Sequence, residues 1–129
     1  MMFSQATIYM LRRPDGLHDG PKNALYFPHG LIRFGETVDE CVGRLVMEQA
    51  GAEVRRTHLY TMSSWVEDRH WHLCLNVLAE IESPPRPGDE VSEVVVVDRD
   101  HVPSDFAWWT PDQAREVLTY LERLKTFAP

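Results

Sequence analysis

The chain has 129 residues, of which 43% are hydrophobic, and this is the size and composition of one domain with one core. Its 20 acidic residues against 13 lysines and arginines give a formal charge of -7, so its long-range field repels polyanions and argues against binding to duplex nucleic acid. A small anionic ligand is not excluded, because a bound divalent cation reverses the local field. We therefore expect a single domain over residues 1–129.

The two cysteines, Cys41 and Cys74, lie in apolar stretches, where a thiol behaves as a small hydrophobic side chain and no disulfide framework is predicted. The N-terminus has no basic segment followed by an apolar core, and no apolar run reaches the roughly 20 residues that a spanning helix needs. These patterns predict a cytoplasmic protein without a membrane partner. If the chain self-associates, a homodimer is the first expectation.

The beginning of the chain predicts two strands separated by a long loop. Residues 6–11 are β-rich and apolar, and the Pro, Asp and Gly residues of 12–22 are typical of a surface loop. Residues 25–27 predict a short strand that stops at Pro28. A loop with a brief extended centre is expected over 30–35.

A helix is predicted next. Thr37 and Glu40 have the spacing of a capping box, and Gly51 is a typical residue for the C-terminal stop. Between them the apolar residues define one broad face, and charged residues stack on another at a spacing of four, namely Glu40, Arg44 and Glu48. One side of this helix should therefore pack on the core and the other should carry charge.

The second half of the chain predicts a long hairpin, a strand and a closing helix. Residues 54–66 and 69–81 are rich in β-branched and aromatic residues, with a turn at Glu67 and Asp68 between them. The continuous apolar run 94–97 predicts a central strand buried on both faces. Thr110 followed by Pro111 is typical of a helix start. Helices packed on the two faces of a mixed sheet would give an α/β (α+β) domain.

The segment from Gly30 to Gly51 reads GLIRFGETVDECVGRLVMEQAG, and it resembles the Nudix box, G-x5-E-x7-R-E-U-x-E-E-x-G-U with U a bulky apolar residue. The two align without a gap. Five of the seven fixed positions are kept here, namely Gly30, Glu36, Arg44, Glu48 and Gly51. The other two, which are glutamates in the family, are Leu45 and Gln49.

The resemblance extends beyond the box, because the preceding Phe27-Pro28-His29 looks like the family's entry to it and the order of the later elements is also similar. It implies the Nudix fold, a mixed β-sheet sandwiched between helices. The implied activity is a pyrophosphohydrolase that cleaves a nucleoside diphosphate linked to another moiety, with Mg²⁺, or Mn²⁺ in its place, as cofactor. A small nucleotide or nucleoside diphosphate derivative would then be the partner.

The physical logic of the box is charge neutralisation. Cleaving a diphosphate places charge on bridging and non-bridging oxygens, and divalent metals held by carboxylates neutralise it. Mg²⁺ requires hard oxygen ligands, and glutamates one helical turn apart can supply them from one face. Because Leu45 and Gln49 carry no charge, we expect weak metal binding and reduced activity.

The resemblance also implies the roles of individual residues. Glu48, Arg44 and Glu36 would be the catalytic residues, with Glu48 and Glu36 as metal ligands and Gln49 offering a carbonyl oxygen to the same metal. Arg44 orders the helix, although the neighbouring carboxylate that it would orient in the family is Leu45 here.

Gly30 and Gly35 would let the loop approach the phosphates closely, and His29, beside Gly30, is a candidate for ligand contact. If the negative charge missing at Leu45 and Gln49 is supplied from elsewhere, the candidates are Glu36 and four acids on other loops: Glu67, Asp68, Asp89 and Glu90.

Several alternatives stay open at this point. A catalytically silent Nudix-like module that binds or senses a nucleotide, or a purely structural subunit, would also suit the loss of two glutamates. His70 and His72 share one strand face, but without a third ligand at a supporting spacing a polar sheet face is favoured over a zinc site. Most of the tryptophans are expected to pack, with Trp108 and Trp109 over one sheet face, and stacking on a nucleobase is the alternative.

Overall fold

The computed structural model describes residues 1–13, 24–88 and 91–127, with side chains as far as residue 124. Its elements in chain order are β1 Met2–Ser4, β2 Thr7–Arg12, β3 Leu25–Tyr26, α1 Val38–Ala50, β4 Val54–Glu67, β5 His70–Ile81, β6 Glu93–Val97 and α2 Pro111–Phe127. The helices and the strands from β2 onward follow the predicted order, whereas β1 was not predicted. The predicted loop over residues 12–22 lies mostly outside the described residues.

The described strands form one mixed sheet in which β2 is central. The main path of hydrogen-bonded strands is β3-β2-β1-β5-β4, and β6 pairs with β2 on its other side. Strands β1 and β5 are parallel, whereas the other pairs are antiparallel. This arrangement confirms the prediction of a mixed sheet.

The two helices cover opposite faces of the sheet, because alternate residues of β2 point to opposite sides. Ile8 and Met10 are buried in a cluster with residues of α2, namely Val117, Leu118 and Leu121. Leu11 is buried in a second cluster with residues of α1, namely Val46 and Ala50. The domain is therefore a three-layer α/β sandwich, as predicted.

The prediction for residues 94–97 was wrong in one respect. Strand β6 pairs only with β2 among the described residues, so it is not central, and the side chain of Val96 is 51% exposed. Val97 is buried on the α2 side. An apolar run of this length indicates a strand, but it does not reveal whether both faces are covered.

The hairpin of β4 and β5 extends beyond the layers that the helices cover. Asp68 and Arg69 both have positive φ angles, 51° and 66°, as in the tight turns that join antiparallel strands. Leu78 and Ala79 in the inner half of β5 are fully buried, whereas residues 61–73 on both strands are exposed. The outer half of the hairpin is thus a two-stranded ribbon in solvent.

Candidate functional site

The site predicted from the box lies where the loop from Phe27 to Glu36 meets helix α1. Thr37 accepts a hydrogen bond from the backbone of Glu40 at 3.1 Å, and the Glu40 side chain returns to the backbone of Thr37, so the predicted capping box is present. At the other end, Gly51 adopts φ +58° and its N–H donates to Met47. The caps define both ends of α1 and therefore fix which side chains face the loop.

Arg44 joins the helix to the loop through a two-point ion pair with Glu36. The Nε atom of Arg44 lies 2.8 Å from Oε2 of Glu36, and its Nη2 atom lies 2.9 Å from Oε1. Arg44 also donates to the carbonyl oxygen of Leu31 at 3.1 Å, and the Glu36 carboxylate accepts from the backbone N–H of Arg33 at 3.0 Å. These contacts close the loop around the start of the helix.

The same contacts set the ionisation of the pair. The hydrogen bonds from Arg44 and then from the Arg33 backbone stabilise the Glu36 carboxylate and lower its pKa from 4.5 to about 2. The pKa of Arg44 is raised by the hydrogen bond to Glu36. Both groups are charged at neutral pH, and the Glu36 oxygens are already engaged with the guanidinium and the backbone.

Glu48 is the more accessible carboxylate of the two. Its side chain is 52% exposed, against 12% for Glu36, and it forms a longer ion pair with Arg44, whose Nη1 lies 3.6 Å from Oε2 of Glu48. A carboxylate in this position can exchange its weak ion pair for another cation at little cost. Among the box residues, Glu48 is therefore the one best placed to receive a metal ion.

Gln49 holds the loop by two hydrogen bonds to the backbone of His29, and we call this pair of bonds the clamp. Its Nε2 donates to the carbonyl oxygen of His29 at 2.7 Å, and its Oε1 accepts from the backbone N–H of His29 at 3.2 Å. A carboxylate could not make the first of these bonds, because it has no donor when ionised. The carbonyl oxygen that was predicted as a metal ligand thus already has a partner, and its role toward metal stays a prediction.

Leu45 packs under the loop rather than toward an ion. A Cβ atom added at Gly30 would lie 2.6 Å from Cδ2 of Leu45, so the backbone of Gly30 rests directly on this side chain. Gly35, with φ +81°, is the loop residue whose conformation requires glycine. The apolar contact between Gly30 and Leu45 occupies the position that a charged glutamate takes in the box.

The described part of the chain does not assemble a multi-carboxylate metal centre. No three His, Cys, Asp or Glu side chains within residues 1–13, 24–88 and 91–127 come close enough together to hold an ion. Glu67 and Asp68 lie at the exposed hairpin turn, and the other two outside candidates, Asp89 and Glu90, lie outside the described residues. His70 and His72 join no such group, and His72 stacks on Trp65.

A single box carboxylate still fits one mode of Mg²⁺ binding. Mg²⁺ in proteins commonly keeps several waters and is held by one or two carboxylates together with substrate phosphates. Glu48 can serve as that carboxylate, because it is exposed and only weakly paired. The described residues therefore fit an ion that is shared with a bound diphosphate, and on their own they do not complete a site for an ion held by protein side chains alone.

Trp108 extends the site beyond the box: it was expected to pack over one sheet face with Trp109, and its exposed position beside His29 was not predicted. Its ring meets that of His29 edge to face at a centroid distance of 5.5 Å and that of Tyr26 at 5.1 Å, yet 59% of Trp108 is exposed. Trp109, by contrast, packs against Phe27 and the buried core as expected. The sequence carried only a weak signal for this difference, the Trp-Trp pair just before a helix.

His29 connects these parts of the site. Its Nδ1 donates to the carbonyl oxygen of Phe27 at 2.9 Å, which leaves Nε2 for other partners, while its backbone is held by Gln49. Gln49, His29 and Trp108 are thus linked by direct contacts, and Glu48 precedes Gln49 on α1. Two shallow depressions elsewhere, one between α1 and β4 and one beside β6, include neither Glu48 nor His29.

A three-layer sandwich with a capped box helix and an arginine-glutamate pair closing the preceding loop defines the Nudix class of domain. The family model for the NUDIX domain matches residues 2–123. The chain therefore belongs to the Nudix family.

Solved structures of low sequence identity have the same fold. A MutT NUDIX hydrolase from Burkholderia pseudomallei is 17% identical with a TM-score of 0.71, over 90% of this chain and 92% of that one. A Bacillus subtilis pyrophosphohydrolase is 15% identical with a TM-score of 0.69, over 100% and 81%. A NUDIX hydrolase from Nitrosomonas europaea is 16% identical with a TM-score of 0.68, over 99% and 71%.

No curated protein matches the sequence. Within the described residues, neither helix combines the length and the apolar character that crossing a membrane requires.

Proposed function

We propose that the chain binds a nucleoside diphosphate linked to another moiety and hydrolyses its diphosphate slowly, with Mg²⁺ or Mn²⁺ as a weakly held cofactor. The observation that carries the proposal is the exposed Glu48 carboxylate beside a loop that Arg44, Glu36 and Gln49 hold in place. Family membership and the likeness to solved pyrophosphohydrolase and hydrolase structures support the reaction type.

In this proposal the loop binds the diphosphate and Glu48 holds the shared ion. Gly30 and Gly35 would let the backbone come close to phosphate oxygens, and Nε2 of His29, whose Nδ1 is bonded to Phe27, is left to contact the ligand. The bound metal ion supplies neutralisation of the charge that builds up on the phosphate oxygens. Arg44 and Glu36 act as positioning residues, because their charged groups form an ion pair with each other.

Trp108 is proposed to contact the nucleoside. Its exposed indole borders His29, so a base stacked on it would place the attached phosphates toward Gly30. Aromatic stacking accepts any base, and this contact alone therefore gives affinity without choosing among nucleotides. In this proposal, residues outside the box contact the moiety on the far side of the diphosphate.

The test is turnover of a panel of nucleoside diphosphate derivatives with Mg²⁺ and with Mn²⁺, followed by detection of the nucleoside monophosphate. We expect slow, metal-dependent release, and loss of that release in Glu48→Gln, which keeps the shape of the side chain and removes its charge. Glu116→Gln on the exposed side of α2 is the matched control. Equal rates in wild type and Glu48→Gln, or no product with either metal, would refute the hydrolase.

A second function, a silent nucleotide-binding module, is favoured by Leu45 and Gln49. At the two positions where the box has glutamates, Leu45 packs against Gly30 and Gln49 forms hydrogen bonds with the backbone of His29. Calorimetry that detects nucleotide binding by a protein without turnover would select the module. Turnover in the Leu45→Glu, Gln49→Glu double variant but not in the wild type would show that these two residues silence the site.

A further inference from the structure

The outer edge of strand β4 has no backbone partner among the described residues. Strand β4 is the longest of the described strands, with 14 residues, and it ends the sheet because it pairs only with β5. No other backbone hydrogen bond reaches residues 54–67 from the described chain. A long open edge of this kind is a template for another strand.

Much of this edge lacks the features that usually prevent pairing. The ten residues from Thr57 to Val66 include no Lys, Arg, Asp, Glu, Pro or Gly, and a single bulge at Tyr60 is the only irregularity. Three of its apolar side chains are at least half exposed: Leu59, Met62 and Val66. An uncharged edge of this length exposed to solvent favours association over solubility.

The charges that flank this run have opposite signs. Arg55 and Arg56 precede it, and Glu67 and Asp68 follow it. The Arg56 side chain is 66% exposed, although it contacts Glu80 on β5. A second strand that ran antiparallel to β4 with the same flanks would bring each basic end next to an acidic end.

We propose that the edge of β4 binds a second copy of this chain, with the two β4 strands antiparallel about a two-fold axis at Met62. A two-fold axis is required because the same patch must meet itself in an isologous dimer. With Tyr60 bulged in each copy, the pairing places Arg56 opposite Glu67, with Met62 opposite its own copy. The proposal does not depend on the catalytic function of the domain.

The faces of the strands agree with this pairing. In an antiparallel pair, residues directly opposite each other share one face of the sheet. Arg56 and Glu67 pair with Glu80 and His70 of β5, an even number of residues apart, so Arg56 and Glu67 lie on the same face. Without the bulge between Leu59 and Thr61 they would lie on opposite faces. The irregularity in β4 thus permits the charge pairing.

Charge reversal tests the register. The wild type should sediment as a dimer, and Arg56→Glu and Glu67→Arg should each weaken dimerisation at least about tenfold by placing like charges opposite each other. Mixing the two variants should restore a heterodimer, because every cross-strand pair is again attractive. Arg115→Glu is the matched control, since Arg115 is also an exposed arginine beside a carboxylate, that of Asp112.

A crosslink tests the axis. In a Cys74→Ser background, Met62→Cys should form an intermolecular disulfide on mild oxidation, because directly opposed Cα atoms in antiparallel strands are about 4.5–5.5 Å apart. Thr57→Cys, whose partner would be Val66 of the other copy, should not. A wild type that stays monomeric up to high concentration overturns the proposal. A dimer whose affinity is unchanged by both charge reversals, and which gives no Met62→Cys crosslink, also overturns the proposal, because it must use another surface.

Discussion

Arg44 and Glu36 are eight residues apart in the chain and form the contact that closes the box loop onto its helix, with two nitrogen–oxygen distances of 2.8 Å and 2.9 Å. The pair is largely shielded, with 18% and 12% of the side chains exposed. Because a bidentate pair fixes both the distance and the orientation of its partners, it orders the loop before any ligand binds. The loop is therefore preorganised by two residues whose charged groups already bind each other.

The first prediction concerns acid stability. The pKa of Glu36 is lowered from 4.5 to about 2 in the folded protein, so its contribution to stability is complete above the unfolded value and is lost as the pH falls from about 5 toward 2. Urea unfolding of wild type and Glu36→Gln across this range measures it. The free energy difference between them should be largest near neutral pH and should shrink in acid. A free energy difference that does not change with pH would contradict the ion pair between Glu36 and Arg44.

The second prediction concerns Gln49. Gln49→Glu keeps an acceptor for the N–H of His29 but removes the donor to its carbonyl oxygen, so one hydrogen bond is lost and a charge faces a carbonyl. We expect a loss of about 1 kcal/mol in the free energy of unfolding, the usual net value of one such bond. Thermal unfolding at neutral pH measures it. A stability equal to that of wild type would show that the clamp is not formed in solution.

A further prediction tests the contact under the loop. Gly30→Ala would place a methyl group 2.6 Å from Cδ2 of Leu45, and the half-buried leucine can move only partly away. We expect a loss of about 1 kcal/mol, at the low end for overpacking. In the Leu45→Ala background the same substitution should cost much less, so a double-mutant cycle isolates the contact. Additive effects would mean that Leu45 does not support Gly30.

Helix α1 could be predicted from the sequence because its signals are local. Thr37, Glu40 and Gly51 lie within one helix length, and their caps act through neighbouring backbone atoms. The edge position of β6 and the clamp between Gln49 and His29 could not, because both depend on how distant segments pack. An apolar run reveals a strand but not its neighbours, and a glutamine in place of a glutamate does not reveal a new backbone partner.

The last prediction concerns Trp108. Its position beside His29 followed from the packing of the segment before α2 against β3, where Phe106 bridges to Leu25. If the exposed indole stacks on the base, Trp108→Ala should raise the dissociation constant for a nucleoside diphosphate derivative roughly tenfold, since stacking contributes about 1–3 kcal/mol. Trp108→Phe should recover part of the affinity because it retains an aromatic face. Calorimetry with inorganic pyrophosphate is the control, since a ligand without a base should bind both variants as tightly as wild type. If the affinity for pyrophosphate fell equally, Trp108 would act on the loop through its contact with His29, and it would not act by stacking on the base.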